Sequence, residues 1–306
     1  MKIGEPSQVW CCPVCGAHRY RLLYPLPATG TERGVDPDAF RPSAERFGRA
    51  LGEVVRCLAC GHGSLRHAPS TDAVTNAYAD AEDPVSLREE AGQVRTADRA
   101  LARIERFVNP GLACDIGCWT GSFLVAARRR GWSAVGVEPS AWASDRARAR
   151  GIDVRTAELD DHGLTPGSCR LVVLADVLEH RQEPGHALDV VHELLEPGGV
   201  LYATVPDAGS TLARLLGRRW WSVLPMHLQY FTRSSLTRMV ESRGFDVRSA
   251  RTHAKAFSAR YYAERLGGYS PALEQATLKA LDALRAADRL VAPNLRDRLA
   301  VLAVRV

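Results

Sequence analysis

Leu112-Ala113-Cys114-Asp115-Ile116-Gly117-Cys118-Trp119-Thr120-Gly121 is a short apolar run that ends in a carboxylate and opens into a glycine-bearing loop. Ser122-Phe123-Leu124-Val125-Ala126-Ala127 follows with helical composition. A strand, a tight turn and a helix in this order hold nucleotide-like ligands in doubly wound α/β proteins. Glycine lets backbone approach such a ligand because it carries no Cβ. The pattern is D-x-G-x-x-x-G, not the G-x-G-x-x-G of dinucleotide folds. A carboxylate at the strand end repels a pyrophosphate and suits a cationic amino-acid head.

Working outward, the chain alternates strand-like and helix-like segments from residue 111 onward. Strands are predicted at Leu112–Ile116, Ala134–Val137, Asp153–Thr156, Leu171–Ala175, Val200–Val205, Asp246–Thr252 and Leu299–Val306. Such alternation predicts a Rossmann-like, doubly wound α/β sheet with helices on both faces. A helical insertion over about 255–295 separates the last two strands. Residues 71–110 read as an acidic helical linker or lid. Ser70 caps its first helix, apolar spacing marks Asp98 to Phe107, and Asn109-Pro110-Gly111 ends it. Tyr78 is a lid-contact candidate, with plain packing as the alternative.

Eight cysteines occur in the 306 residues. Cys12-Pro13-Val14-Cys15-Gly16 and Cys57-Leu58-Ala59-Cys60-Gly61 are two C-x-x-C-G knuckles. The glycine frees each turn so that backbone N–H groups point at thiolates, and four thiolates close a tetrahedral zinc site. Residues 1–70 therefore read as a zinc ribbon with metal ligands Cys12, Cys15, Cys57 and Cys60. Strands are predicted at Tyr20–Tyr24 and Glu53–Cys57, with a loop over Pro25–Gly48 between them. His18, His62 and His67 read as surface histidines near the knuckles. Cys114, Cys118 and Cys169 read as small core or loop residues.

The formal charge is +5. It is spread along the chain, with no Lys/Arg block interleaved with aromatics, so a nucleic-acid footprint is not indicated. No run of about 18 apolar residues exists, so no membrane span is expected. Met1-Lys2-Ile3-Gly4-Glu5-Pro6 lacks an apolar signal core, which predicts a cytoplasmic protein.

Further motifs specify the ligand. Glu138-Pro139 closes the second strand roughly 20 residues after Asp115, where a carboxylate can accept hydrogen bonds from both hydroxyls of a ribose. Asp176-Val177-Leu178-Glu179-His180 follows the fourth strand, and Pro197-Gly198-Gly199 turns into the fifth. His227-Leu228-Gln229-Tyr230-Phe231-Thr232 comes later, with Gly244-Phe245 beyond it. Together these resemble the class I S-adenosylmethionine-dependent methyltransferases, small-molecule branch, over roughly 75–306. The ribbon is similar to one on sugar and natural-product methyltransferases.

The resemblance implies a seven-stranded sheet and S-adenosylmethionine as cofactor. It implies cofactor contacts at Asp115, Gly117, Cys118, Trp119, Gly121, Glu138, Pro139 and Asp176. Trp119 departs from the small residue common there. Glu179, His180 and His227 become the candidates for moving the acceptor's proton, and a packed structural histidine is the alternative for each. Asp176-x-x-Glu179-His180 is also similar to a segment of ubiquinone-pathway O-methyltransferases that can bind a divalent ion. Trp220 and Trp221 either stack on a ring substrate or cover the core. Arg214, Arg218 and Arg219 either meet an anionic substrate such as a nucleotide-linked sugar or form a solvated helix face, and the solvated face is the favoured reading. The expected partner is a small biosynthetic molecule. Two rivals are a zinc-ribbon rRNA methyltransferase, whose knuckles are spaced more tightly, and a non-catalytic protein that keeps the cofactor fold.

Overall fold

The computed structural model describes residues 10–24 and 48–306. Before the motif lie β1 (Tyr20–Tyr24), β2 (Val54–Cys57), β3 (Gly63–Leu65), α1 (Thr71–Ala79) and α2 (Glu90–Ile104). Then come β4 (Leu112–Ile116), α3 (Ser122–Arg129), β5 (Ser133–Glu138), α4 (Ala141–Ala149), β6 (Asp153–Thr156), β7 (Cys169–Ala175), α5 (Pro184–Leu194) and β8 (Leu195–Pro206). After these come α6 (Thr211–Leu216), β9 (Gln229–Tyr230), α7 (Arg233–Glu241) and β10 (Phe245–Thr252). The chain ends with β11 (Phe257–Ser258), α8 (Ala259–Glu264), α9 (Pro271–Ala283), β12 (Leu290–Val291) and β13 (Arg298–Arg305).

The main sheet runs β10-β13-β8-β7-β4-β5-β6. Strands β6, β5, β4, β7 and β8 are parallel, and β13 is antiparallel to both β8 and β10. Both faces are covered, as a largely parallel sheet requires. Leu171 and Val173 of β7 pack with Leu101, Ile104 and Phe123 of α2 and α3. Val172 and Leu174 face the other way, onto Leu188, Leu194 and Leu236 of α5 and α7. The chain leaves β4 towards β5 and β6, then returns to β7 and β8 on its other side. The point of reversal, between β4 and β7, opens a crevice at the carboxyl ends of the strands.

The ribbon's sheet runs β1-β2-β3-β9, so its fourth strand, Gln229–Tyr230, comes from the chain after β8. A two-residue strand is too short to announce itself in sequence. Leu51, Val54 and Leu65 share one apolar cluster with Val74, Trp220, Val223, Met226 and Leu228. His62, expected at the surface, is fully buried instead. Its Nε2 lies 3.0 Å from Oε1 of Gln229, and its Nδ1 lies 3.4 Å from Oγ of Ser235.

The insertion after β10 holds α8 and α9 as expected, and adds a small β11–β12 ladder. Residues 25–47 of the expected loop, and the N-terminal hexapeptide, lie outside the described residues. No helix among the described residues is long and apolar enough to cross a membrane.

Candidate cofactor and acceptor site

A cavity of about 1520 Å³ opens at the reversal point. Of the residues singled out above, Asp115, Gly117, Cys118, Trp119, Glu138, Pro139, Asp176, Glu179, His180 and His227 line it. Gly121 does not. It precedes α3 in the left-handed conformation (φ +77), and a Cβ there would face Ala147 of α4 at 3.2 Å. The second glycine of the motif serves helix packing. Gly117 (φ +69) is the one at the cavity, and a Cβ there would collide with Val177 Cγ2 at 2.8 Å. The reversal point leaves no room for a side chain between β4 and β7.

One end of the cavity is acidic. Asp115 and Glu138 are both buried. Burial first, and Glu138 second, push the Asp115 carboxyl well above the usual range. Burial raises Glu138 to about 7 against the pull of two backbone N–H groups. Those donors are Trp119 N–H to Oε2 (2.8 Å) and Ser140 N–H to Oε1 (2.9 Å), which aim the carboxylate. Oδ1 of Asp115 is buried without a hydrogen-bond partner among the described residues. An unsatisfied buried carboxyl calls for a donor, and a cation satisfies it best.

Trp119, odd in sequence, has a role in the structure. It adopts a left-handed conformation (φ 49) that side chains other than glycine rarely take. Its indole N–H donates to Ser86 Oγ at 3.0 Å, and its ring lies 5.5 Å from that of Trp142. The loop is thereby tied to the Pro84–Glu89 turn that walls the cavity.

Asp176 does not present a free carboxylate. It is ion-paired with both Lys255 and Arg298, from chain segments that flank the insertion. Its backbone is also left-handed (φ 60). No sequence signal couples positions so far apart.

Beyond Asp176 the cavity holds Glu179, His180 and His227, with candidate ligand atoms within 4.8 Å of one another. His180 Nδ1 donates to the Met226 carbonyl (3.0 Å), and His227 Nδ1 donates to the Ser222 carbonyl (2.7 Å). A carbonyl can only accept, so each ring keeps its lone pair on Nε2. Burial lowers His180 to about 4 and His227 well below its ordinary value, so both are neutral bases near neutrality. Neither oxygen of Glu179 has a partner among the described residues, and burial raises its carboxyl to about 7. Tyr78 packs edge-on to His180 at 5.5 Å. Trp220 belongs to the core and bonds Asp297 (3.2 Å), whereas Trp221 lines the cavity. Arg214, Arg218 and Arg219 are exposed and lie off the cavity.

Glu179 carries a stability consequence. Its folded-state pKa is raised, so the folded protein holds a proton that the unfolded chain releases. The stability this contributes is complete below the unfolded value of 4.5 and is lost as pH rises through about 7. In metal-free buffer, Glu179→Met should therefore gain on the wild type between pH 5 and pH 8 by about 2–3 kcal/mol. Denaturant unfolding at the two pH values checks this. An equal gap at both would place the titration elsewhere.

The cysteine cluster lies apart from the cavity. Cys12 and Cys60 sulfurs are 3.6 Å apart, as are those of Cys15 and Cys57, and all four lie within 4.8 Å. A tetrahedral thiolate cage with zinc–sulfur bonds of about 2.3 Å has edges of about 3.8 Å, so the four residues fit zinc. Gly16 and Gly61, both at positive φ, turn the knuckles, and Ala59 N–H points at Cys57 Sγ (3.4 Å). The Cys57 thiol is lowered to about 7 by backbone and neighbouring thiol hydrogen bonds that outweigh burial.

A family model described as a methyltransferase domain matches residues 88–250, more than half of the chain. The chain belongs to this methyltransferase-domain family. The ubiquinone biosynthesis O-methyltransferase of Aeromonas salmonicida (strain A449) is 26% identical over 148 residues, 44% of this chain and 62% of that protein. The match thus spans less than two thirds of that curated relative. A SAM dependent methyltransferase from Archaeoglobus fulgidus superposes with a TM-score of 0.51 at 18% identity, over 73% of this chain and 100% of that one. This likeness shows the shared seven-stranded fold. Magnesium protoporphyrin IX methyltransferase from Synechocystis PCC 6803 with bound SAH gives 0.48 at 17% identity, over 75% and 91% of the two chains.

Proposed function

We propose that the chain transfers a methyl group from S-adenosylmethionine to a small biosynthetic molecule. The observation that carries this reading is the pair of buried carboxyls, Asp115 and Glu138, at the glycine-loop end of the cavity. A dinucleotide's pyrophosphate would add charge of the same sign there, whereas a sulfonium and an ammonium relieve both groups. Glu138 keeps lone pairs for the ribose hydroxyls beyond its two backbone donors. The cavity exceeds the roughly 300–1000 Å³ of a single-ligand pocket, which leaves room for an acceptor beside the cofactor.

When bound, the cofactor supplies an electrophilic methyl on a good leaving group. The chain's own residues do the rest. The cavity walls hold the acceptor in line. His180 or His227 accepts the acceptor's proton at Nε2, and ionised Glu179 stabilises the resulting imidazolium. Methyl transfer is expected to rise with pH through about 7 as Glu179 ionises.

A second reading seats a divalent cation on Glu179, His180 and His227. The unpartnered carboxylate and the tautomers set by carbonyls favour it. The charge of Arg298, which lowers both histidines, opposes it. Activity that survives chelation with zinc retained in the ribbon decides for the base. Zinc in the four-cysteine cluster is part of the proposal.

Calorimetry with S-adenosylhomocysteine and label transfer from S-adenosylmethionine to small-molecule extracts test the whole. Absence of binding would favour a non-catalytic protein, and methylation of total rRNA would overturn the small-molecule acceptor. Glu138→Ala should weaken S-adenosylhomocysteine binding by about 1–3 kcal/mol, the worth of a charged acceptor. Unchanged affinity would remove Glu138 from the cofactor site.

A further inference from the structure

Lys255 and Arg298 set two basic side chains against the single carboxylate of Asp176 in the cavity wall. Burial first, and the charge of Arg298 second, push the Lys255 ammonium well below its ordinary range, so two basic side chains share one carboxylate and a second anion would restore the charge on both. Nε of Arg298 is buried and has no hydrogen-bond partner among the described residues. Buried donors of this kind are costly unless something completes them.

The charge faces the acceptor end. Arg298 acts on Glu179, His180 and His227, pulling the carboxyl down and both imidazoles down. Asp115 is shifted by burial and by Glu138, and Glu138 by burial, by the Ser140 and Trp119 backbone N–H groups and by Glu158, without Arg298 in either case. Beside the pair, the insertion contributes Phe257, Tyr261 and Tyr262 to the same cavity. Phe257 and Tyr261 stack at 4.2 Å, and the Tyr262 hydroxyl donates to the Lys255 carbonyl at 2.8 Å.

We propose that Lys255 and Arg298 form an oxyanion subsite for the methyl acceptor, an acidic, ring-bearing small molecule whose anionic oxygen takes the place of Asp176 on the pair. This rests on the reading of the histidine end as the acceptor site. Asp176 is then the internal counter-ion of the empty subsite. The oxygen can belong to a carboxylate or to a hydroxyl that a histidine deprotonates.

The test uses the full-length, zinc-loaded protein with benzoate as probe and benzamide as its uncharged isostere. With saturating S-adenosylhomocysteine present, calorimetric titration should detect benzoate and not benzamide. Lys255→Met and Arg298→Met should each weaken benzoate by about tenfold or more, the loss of a charge-assisted hydrogen bond. Asp176→Asn should tighten benzoate several-fold, a change of opposite sign that a folding defect cannot mimic. Equal binding of benzoate and benzamide overturns the proposal. So does displacement of benzoate by S-adenosylhomocysteine together with loss of S-adenosylhomocysteine affinity in both variants, because the cations would then hold the cofactor's own carboxylate. Failure of S-adenosylhomocysteine to bind the wild type strikes the methyl-transfer reading instead, and benzoate is then titrated without it.

Discussion

His227→Ala and His180→Ala should each lower kcat by about 10²- to 10⁴-fold while leaving the affinity for S-adenosylhomocysteine within about twofold. The asymmetry follows from position. Both rings lie in the same cavity as Asp115 and Glu138, yet their hydrogen bonds go to the 222–226 segment, not to the glycine loop. Removing a base costs the step in which a proton moves and spares the binding of the adenosyl group. His180 and His227 rings are 4.8 Å apart, so the second can take over part of the first's work. The double variant should therefore lose less than the product of the single losses. Steady-state kinetics beside calorimetry checks this. Wild-type turnover in both single variants would move the base elsewhere.

Replacing Cys57 or Cys12 by Ser should have the second large effect. Structural zinc binding is worth about 10–16 kcal/mol in small ribbon peptides, so a missing thiolate releases much of what holds β1 to β3 in place. The consequence reaches the cavity. Cys60 is followed closely by His62, and β3 pairs with β9 through Gly63↔Tyr230 and Ser64↔Gln229. Gln229 Nε2–H bonds the carbonyls of Arg181 and Gln182, and Leu228 N–H bonds that of Glu179 (2.8 Å). The strand that follows His227 is thus held between the ribbon and the turn that carries His180. Metal analysis should find zinc lost, proteolysis should cut within the ribbon, and turnover should fall about tenfold or more. S-adenosylhomocysteine should still bind, because the acidic end belongs to β4 and β5 of the other sheet. A variant that keeps full turnover without metal would detach the ribbon from catalysis.

These effects also show where sequence reasoning was sufficient. Strands β4, β7, β8 and β13 of the main sheet were legible as apolar runs bounded by turn residues and buried on both faces, whereas the polar edge strands β6 and β10 were legible from their place in the strand–helix alternation. Asp115, Glu138, Glu179 and His180 were legible because strand ends on a doubly wound sheet always meet at one edge. The knuckles were legible because the two sulfurs of each are placed by one local turn at fixed spacing, and the four sulfurs meet in one cluster.

Other features depend on neighbours that no local pattern names. Gly121 looked equivalent to Gly117, and only the approach of α4 assigns it to packing. His62 looked exposed until β9 closed the ribbon's edge over it. Asp176 looked free for a cofactor until the segments on either side of the insertion brought Lys255 and Arg298 to it. Trp119 looked misplaced until Ser86 and Trp142 came within reach.

The sequence by itself determined the sheet, the glycine loop, the acidic strand ends and the cysteine cage, since these rest on periodicity, backbone freedom and short-range spacing. The tertiary structure alone decided which of these groups face one cavity, which histidine nitrogen bears the lone pair, and which basic side chains share a single carboxylate. Those properties are set by desolvation and by contacts between residues distant in the chain, and both exist only once the layers have packed.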